Sequence, residues 1–119
     1  MSTNISRHAS DAAAAIREIN HATFGPEALR YPPLVSEVTQ SLTVMLDSLP
    51  QTFDQLSAAI RRHLSEGLIR MDDGTDAGSA ADEVLRYLGE AGDGARALSD
   101  SLHQAASILF HMGTTEARA

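Results

Sequence analysis

The chain has 119 residues, enough for one domain, with 43% hydrophobic residues, 4% aromatics and no Trp, so its core must be aliphatic. The formal net charge is −7, there is no Cys, and all nine basic residues are Arg. These counts exclude a basic patch for nucleic acid, thiol chemistry, Cys-type zinc sites and any Lys-dependent nucleotide loop.

The N-terminal stretch carries small and apolar residues at Ile5, Ala9, Ala12, Ile16 and Ile19. Their spacing predicts a helix over about 4–23. Two turn signals in Phe24–Pro33 (FGPEALRYPP) then interrupt it.

A second series follows: Val35, Val38, Leu42, Met45, Leu49, Phe53, Leu56, Ile60, Leu64 and Leu68. It predicts a helix over 34–69, with Pro32 and Pro33 at the start, where missing amides cost nothing. Pro50 removes one interior hydrogen bond, and Ser48-Leu49-Pro50-Gln51 also reads as a capping box. The apolar phase survives Pro50, so a continuous or kinked helix is expected.

The loop Arg70–Gly78 (RMDDGTDAG) is polar. A third series then runs Ala81, Val84, Leu88, Ala91, Ala95, Leu98, Leu102, Ala105, Leu109 and Met112 in alternating steps of three and four. That is a heptad seam over 79–112, with Ser79 expected as N-cap and Gly113 as C-cap. Gly89, Gly92 and Gly94 each cost roughly 1 kcal/mol relative to Ala in a helix, yet the phase passes through them. Residues 113–119 are expected to fray.

Two straight helices of such length would measure ~55 Å. A compact globule of this chain length has a radius of gyration of about 13–14 Å. The expected fold is therefore a single all-α domain over 1–119. It is an elongated antiparallel helical hairpin or a bundle of three to four helices, with a second copy completing a four-helix arrangement. The helix-interface residues are expected to be Val35, Val38, Leu42, Met45, Leu49, Phe53, Leu56, Ile60, Val84, Leu88, Ala91, Ala95, Leu98, Leu102 and Leu109.

Chemical motifs are sparse. The five His are scattered, and no i, i+4 metal-binding pair occurs. Asp72 to Glu83 has the length of a calcium loop, but Gly74, Ala77 and Ala80 occupy positions where its pattern fails. No nucleophile elbow is present. No catalytic residue, cofactor or metal is expected. His63-Leu64-Ser65-Glu66-Gly67 resembles the histidine-phosphotransfer motif, which implies His63 as phosphoryl acceptor, with Glu66 where that motif has Lys. No apolar run reaches the ~18 residues of a membrane span, and the N-terminus lacks a signal-peptide layout. The expected location is cytoplasmic, or exported without a cleavable signal peptide.

Two stretches carry a family resemblance. They are Asp73–Gly78 followed by Ser79-Ala80-Ala81-Asp82-Glu83-Val84-Leu85-Arg86-Tyr87, and Ala97-Leu98-Ser99-Asp100-Ser101-Leu102-His103-Gln104-Ala105. Acidic, Cys-free, Ala-rich helices joined by a Gly-containing turn resemble the WXG100 (ESAT-6-like) proteins over about 34–112. The resemblance implies a helical hairpin, a four-helix dimer and type VII secretion. Where that family has Trp-x-Gly, this turn reads Arg70-Met71-Asp72-Asp73-Gly74. The functional expectation is a non-catalytic helical protein–protein interaction module whose partner is another protein or a second copy. The alternatives are a phosphotransfer-like domain using His63 and a cytoplasmic adaptor or regulatory subunit.

Overall fold

A computed structural model describes residues 3–115. Three helices and no strand occur among the described residues: α1 Thr3–Ala22, α2 Pro32–Ser65 and α3 Ala77–Leu109. Helices α2 and α3 pack against each other as a hairpin, and α1 packs along neither. The molecule is elongated, 69 × 26 × 23 Å, with a radius of gyration of 19.8 Å. Residues 116–119 of the expected frayed tail lie outside the described residues.

Local chemistry sets the ends of the helices. Pro32 and Pro33 open α2 after the extended Tyr31. At its other end the amide of Gly67 donates to the carbonyl of Leu64 at 3.1 Å, and that of Leu68 to the carbonyl of His63 at 2.9 Å. Gly67 has φ +69°. This is a Schellman stop, in which glycine takes the left-handed position. It ends α2 four residues before the expected boundary at 69, because Gly67 cannot be passed helically in that conformation.

Helix α3 is capped by Asp76 rather than by Ser79. The Asp76 carboxylate accepts from the Ser79 amide at 2.9 Å and from the Ser79 hydroxyl at 3.2 Å. The longer carboxylate side chain reaches the exposed amides from one turn earlier, so the helix gains two residues. The far end is Phe110, in helical conformation, and not Gly113. Both helices run unbroken through the residues that threatened them, α2 through Pro50 and α3 through Gly89–Gly94. Ser48 starts no new helix; its hydroxyl donates back to the Val44 carbonyl at 3.3 Å.

The most deeply buried positions of the α2–α3 seam are small or polar, Leu46 apart. Buried positions are Ser36, Thr43, Leu46 and Ser57 on α2, and Ala81, Gly92, Ala95 and Ser99 on α3. A Cβ built on Gly92 would stand 4.0 Å from the Cβ of Phe53, so this glycine marks the close approach of the two helices. Gly89 and Gly94 meet nothing. Two of the buried hydroxyls have partners along α2: Ser36 accepts from Gln40 at 3.1 Å, and Thr43 donates to the Thr39 carbonyl at 2.8 Å. Bonds of this kind spare the desolvation cost of a buried polar group.

Candidate interaction face

The buried positions fix the heptad registers. On α2 the seam runs Ser36, Thr39, Thr43, Leu46, Pro50, Phe53, Ser57, Ile60 and Leu64; on α3 it runs Ala81, Leu85, Leu88, Gly92, Ala95, Ser99, Leu102, Ala106 and Leu109. Ser36 takes position a and Ala81 position d, and the steps alternate three and four throughout. In an antiparallel pair the e positions of both helices share one flank and the g positions share the other.

The e flank is ionic. Asp47 and Asp54 lie there on α2, and Arg96 and His103 on α3. His103 Nε2 lies 3.1 Å and 3.2 Å from the two carboxylate oxygens of Asp47, and the buried Ser99 hydroxyl donates to the same carboxylate. Arg96 reaches Asp54 at 3.8 Å and Asp93 at 3.2 Å. The Ser99 hydrogen bond first, and then that of His103, lower the Asp47 carboxyl below its ordinary value. These cross-helix pairs independently confirm which flank is which.

The g flank is the opposite. Its g and c positions on α2 are Val35, Val38, Leu42, Met45, Leu49, Thr52, Leu56, Ala59 and His63. On α3 they are Ala80, Val84, Tyr87, Ala91, Gly94, Leu98, Ser101, Ala105 and Ile108. No Asp, Glu or Arg occurs among them. Every Asp, Glu and Arg of α2 and α3 lies at e, b or f. The outcome is one continuous, charge-free face about as long as the hairpin. Along it Val84 is 42% exposed, Leu98 51% and Leu56 48%, and Met45 is exposed too.

The expected interface residues divide between the seam and this face. Of the fifteen expected interface residues, Phe53, Ile60, Leu88, Ala95, Leu102 and Leu109 lie in the α2–α3 seam. Val35, Val38, Leu42, Met45, Leu49, Leu56, Val84, Ala91 and Leu98 lie on the charge-free face beside it. The apolar stripe of each helix straddles the seam and this flank, so one edge of it faces the neighbouring helix and the other is only half-buried or exposed.

His63 occupies the last turn of α2 and is half-buried. The spacing from His63 to Gly67 has a backbone cause, since the Schellman stop joins the His63 carbonyl to the amide after Gly67. Near the start of α2, Ile19 and Ala22 of α1 and Thr23 just after it join Leu29, Leu34, Val38 and Leu42, with Glu37, around an open, mostly apolar hollow of about 400 Å³. No group of three or more metal-ligating side chains converges among the described residues. Among the described residues no helix is long and apolar enough to cross a membrane.

The Asp47–Ser99–His103 cluster was missed by the sequence reading. Its members are 52 and 56 positions apart, so no local motif could reveal them. Comparison of the chain with protein families, curated proteins and solved structures finds no match.

Proposed function

We propose that the protein is a helical protein–protein interaction module that docks a partner on the charge-free face of its α2–α3 hairpin. The observation that carries this reading is the segregation of charge. Every ionised residue of the two helices avoids one flank, while Leu98, Leu56 and Val84 stand exposed on it. An exposed contiguous apolar patch, rimmed by polar residues, is the surface signature of a binding site. A merely solvated helix face would carry charge on both flanks.

A role of the WXG100-like, secretion-associated kind is the most concrete form of this proposal. It is supported by the antiparallel hairpin and its polar, glycine-containing turn. Export is tested separately, by looking for the chain in the culture medium of its native cells.

The docking reading is tested by photo-crosslinking in those cells. A photoreactive phenylalanine analogue replaces Leu98 on the charge-free face or Asp100 on the ionic side. The expected result is a discrete protein adduct from position 98 and none from position 100. Equal labelling from both, or none from either, overturns the proposal.

A further inference from the structure

Helix α1 is the second unpartnered apolar element of this chain. It packs along neither α2 nor α3, and Ile5 is 73% exposed. Its stripe of Ile5, Ala9, Ala12, Ile16 and Ile19 bears no charge, and Ala13 and Ala15 flank it. Arg7, Asp11, Arg17 and Glu18 lie off the stripe. Most helical stability in proteins comes from packing an apolar face, and the apolar stripe of α1 is packed on nothing within its chain.

Helix α1 does not lie along its own hairpin. The last turn of α1 rests at the start of α2, beside Val38 and Leu42 of the charge-free face. The Thr23 hydroxyl donates to the Ile19 carbonyl at 2.7 Å and closes the end of α1, and the Leu34 amide donates to the Tyr31 carbonyl at 3.0 Å at the start of α2. From that anchor α1 runs on past the hairpin. The molecule is 69 Å long, while the 34 residues of α2 account for only ~51 Å.

We infer that two copies of this chain exchange arms: α1 of each lies in the groove between α2 and α3 on the charge-free face of the other. This rests on the reading of that face as a docking surface and names its occupant. The occupant's stripe and the face both lack Asp, Glu and Arg, so two chains of net charge −7 meet away from most of their carboxylates, with Glu37 at the anchoring hollow. The area is sufficient. A helix of ~30 Å by ~10 Å covers about 300 Å² of its groove and loses as much of its own surface. Two reciprocal arms bury about 1,200 Å², within the range of specific interfaces, whereas one arm folded back on its own chain buries half of that. The anchor beside Val38 and Leu42 makes the exchanged contact continuous with the hollow already lined by α1.

The test uses the full chain in sedimentation from low to high micromolar concentration. A monomer–dimer equilibrium is expected. Ile16→Glu on the arm and Leu98→Glu on the face each weaken dimerisation about tenfold or more, and Glu90→Gln does not. Circular dichroism checks that both variants keep their helices. A spin label on Ile16→Cys of one copy is then mixed with methyl-labelled second copies. Broadening of the Leu98 and Leu49 methyls across copies is the expected result.

Three results overturn the inference and leave the docking face standing: a monomer at every concentration, a dimer indifferent to Ile16→Glu, or broadening within one chain only. The second means hairpin against hairpin, and the third means α1 folded on itself. If photo-crosslinking from position 98 also fails, the docking face falls with it.

Discussion

Gly67 stops α2 because its φ of +69° is open to glycine and costs other residues energy. Gly67→Ala is expected to destabilise the chain by about 1 kcal/mol, a fall of roughly 4 °C in Tm. Gly89 gives the opposite sign. It lies mid-helix at an e position where an added methyl meets nothing, so Gly89→Ala should stabilise by about 0.5–1 kcal/mol. Thermal melts of both variants decide the matter, and equal signs would refute the assigned backbone roles. Asp47 supplies the residue-scale pH dependence. Its carboxyl is lowered from 3.8 by the Ser99 hydroxyl and then by His103. The folded state therefore holds that proton less tightly than the unfolded state. The stabilisation is complete above the unfolded value and is lost as pH falls through the lowered one. The Tm difference between the native chain and Asp47→Asn should be full above about pH 5 and shrink as pH falls below the unfolded value and through the lowered one. A difference that stays constant across this range would remove Asp47 from the acid response.

At the scale of the element, the helices and their hairpin pairing were legible and the rotation of each helix was not. Steps of three and four define a stripe, but they do not say whether the stripe meets the neighbouring helix or a further partner. One signal was present. The α2 series takes two successive steps of four, from Met45 to Leu49 to Phe53 and again from Leu56 to Ile60 to Leu64. A true seam alternates, so these steps show the stripe drifting from the flank into the seam. The placement of Asp47, Asp54 and Arg96 carried the same information, since ions sit opposite the apolar flank. Burial of Ser36, Thr43, Ser57 and Ser99 could not be anticipated from a rule that places bulk inside. Pro50 also belongs to this scale. It sits half-buried in the α2 seam and leaves the Leu46 carbonyl without its helical amide. Pro50→Ala restores that bond and gives up some ring packing. The expected gain is about 1–2 kcal/mol, read by denaturant unfolding. A loss would show that the proline's shape, and not helix continuity, fits α2 to α3.

For the whole molecule, the elongated shape leaves a surplus of apolar surface that the single chain does not cover. The radius of gyration is 19.8 Å, well above the ~13.5 Å of a compact chain of this length. Among the described residues only Leu46, Ala81 and Ala95 form a buried hydrophobic core, while Ile5, Val84, Leu98 and Ile108 stay exposed. A chain with so thin a core gains stability by association, and association makes stability depend on concentration. The full chain should therefore melt at a higher temperature as its concentration rises. Because α1 packs along neither α2 nor α3, a chain beginning at Tyr31 should keep the hairpin and, in dilute solution, melt within a few degrees of the full chain. It should also lose the concentration dependence, since the arm that binds the second copy is gone. A truncated chain that unfolds outright would show that α1 supports the hairpin directly. A truncated chain whose Tm still climbs with concentration would place the self-contact on the hairpins themselves.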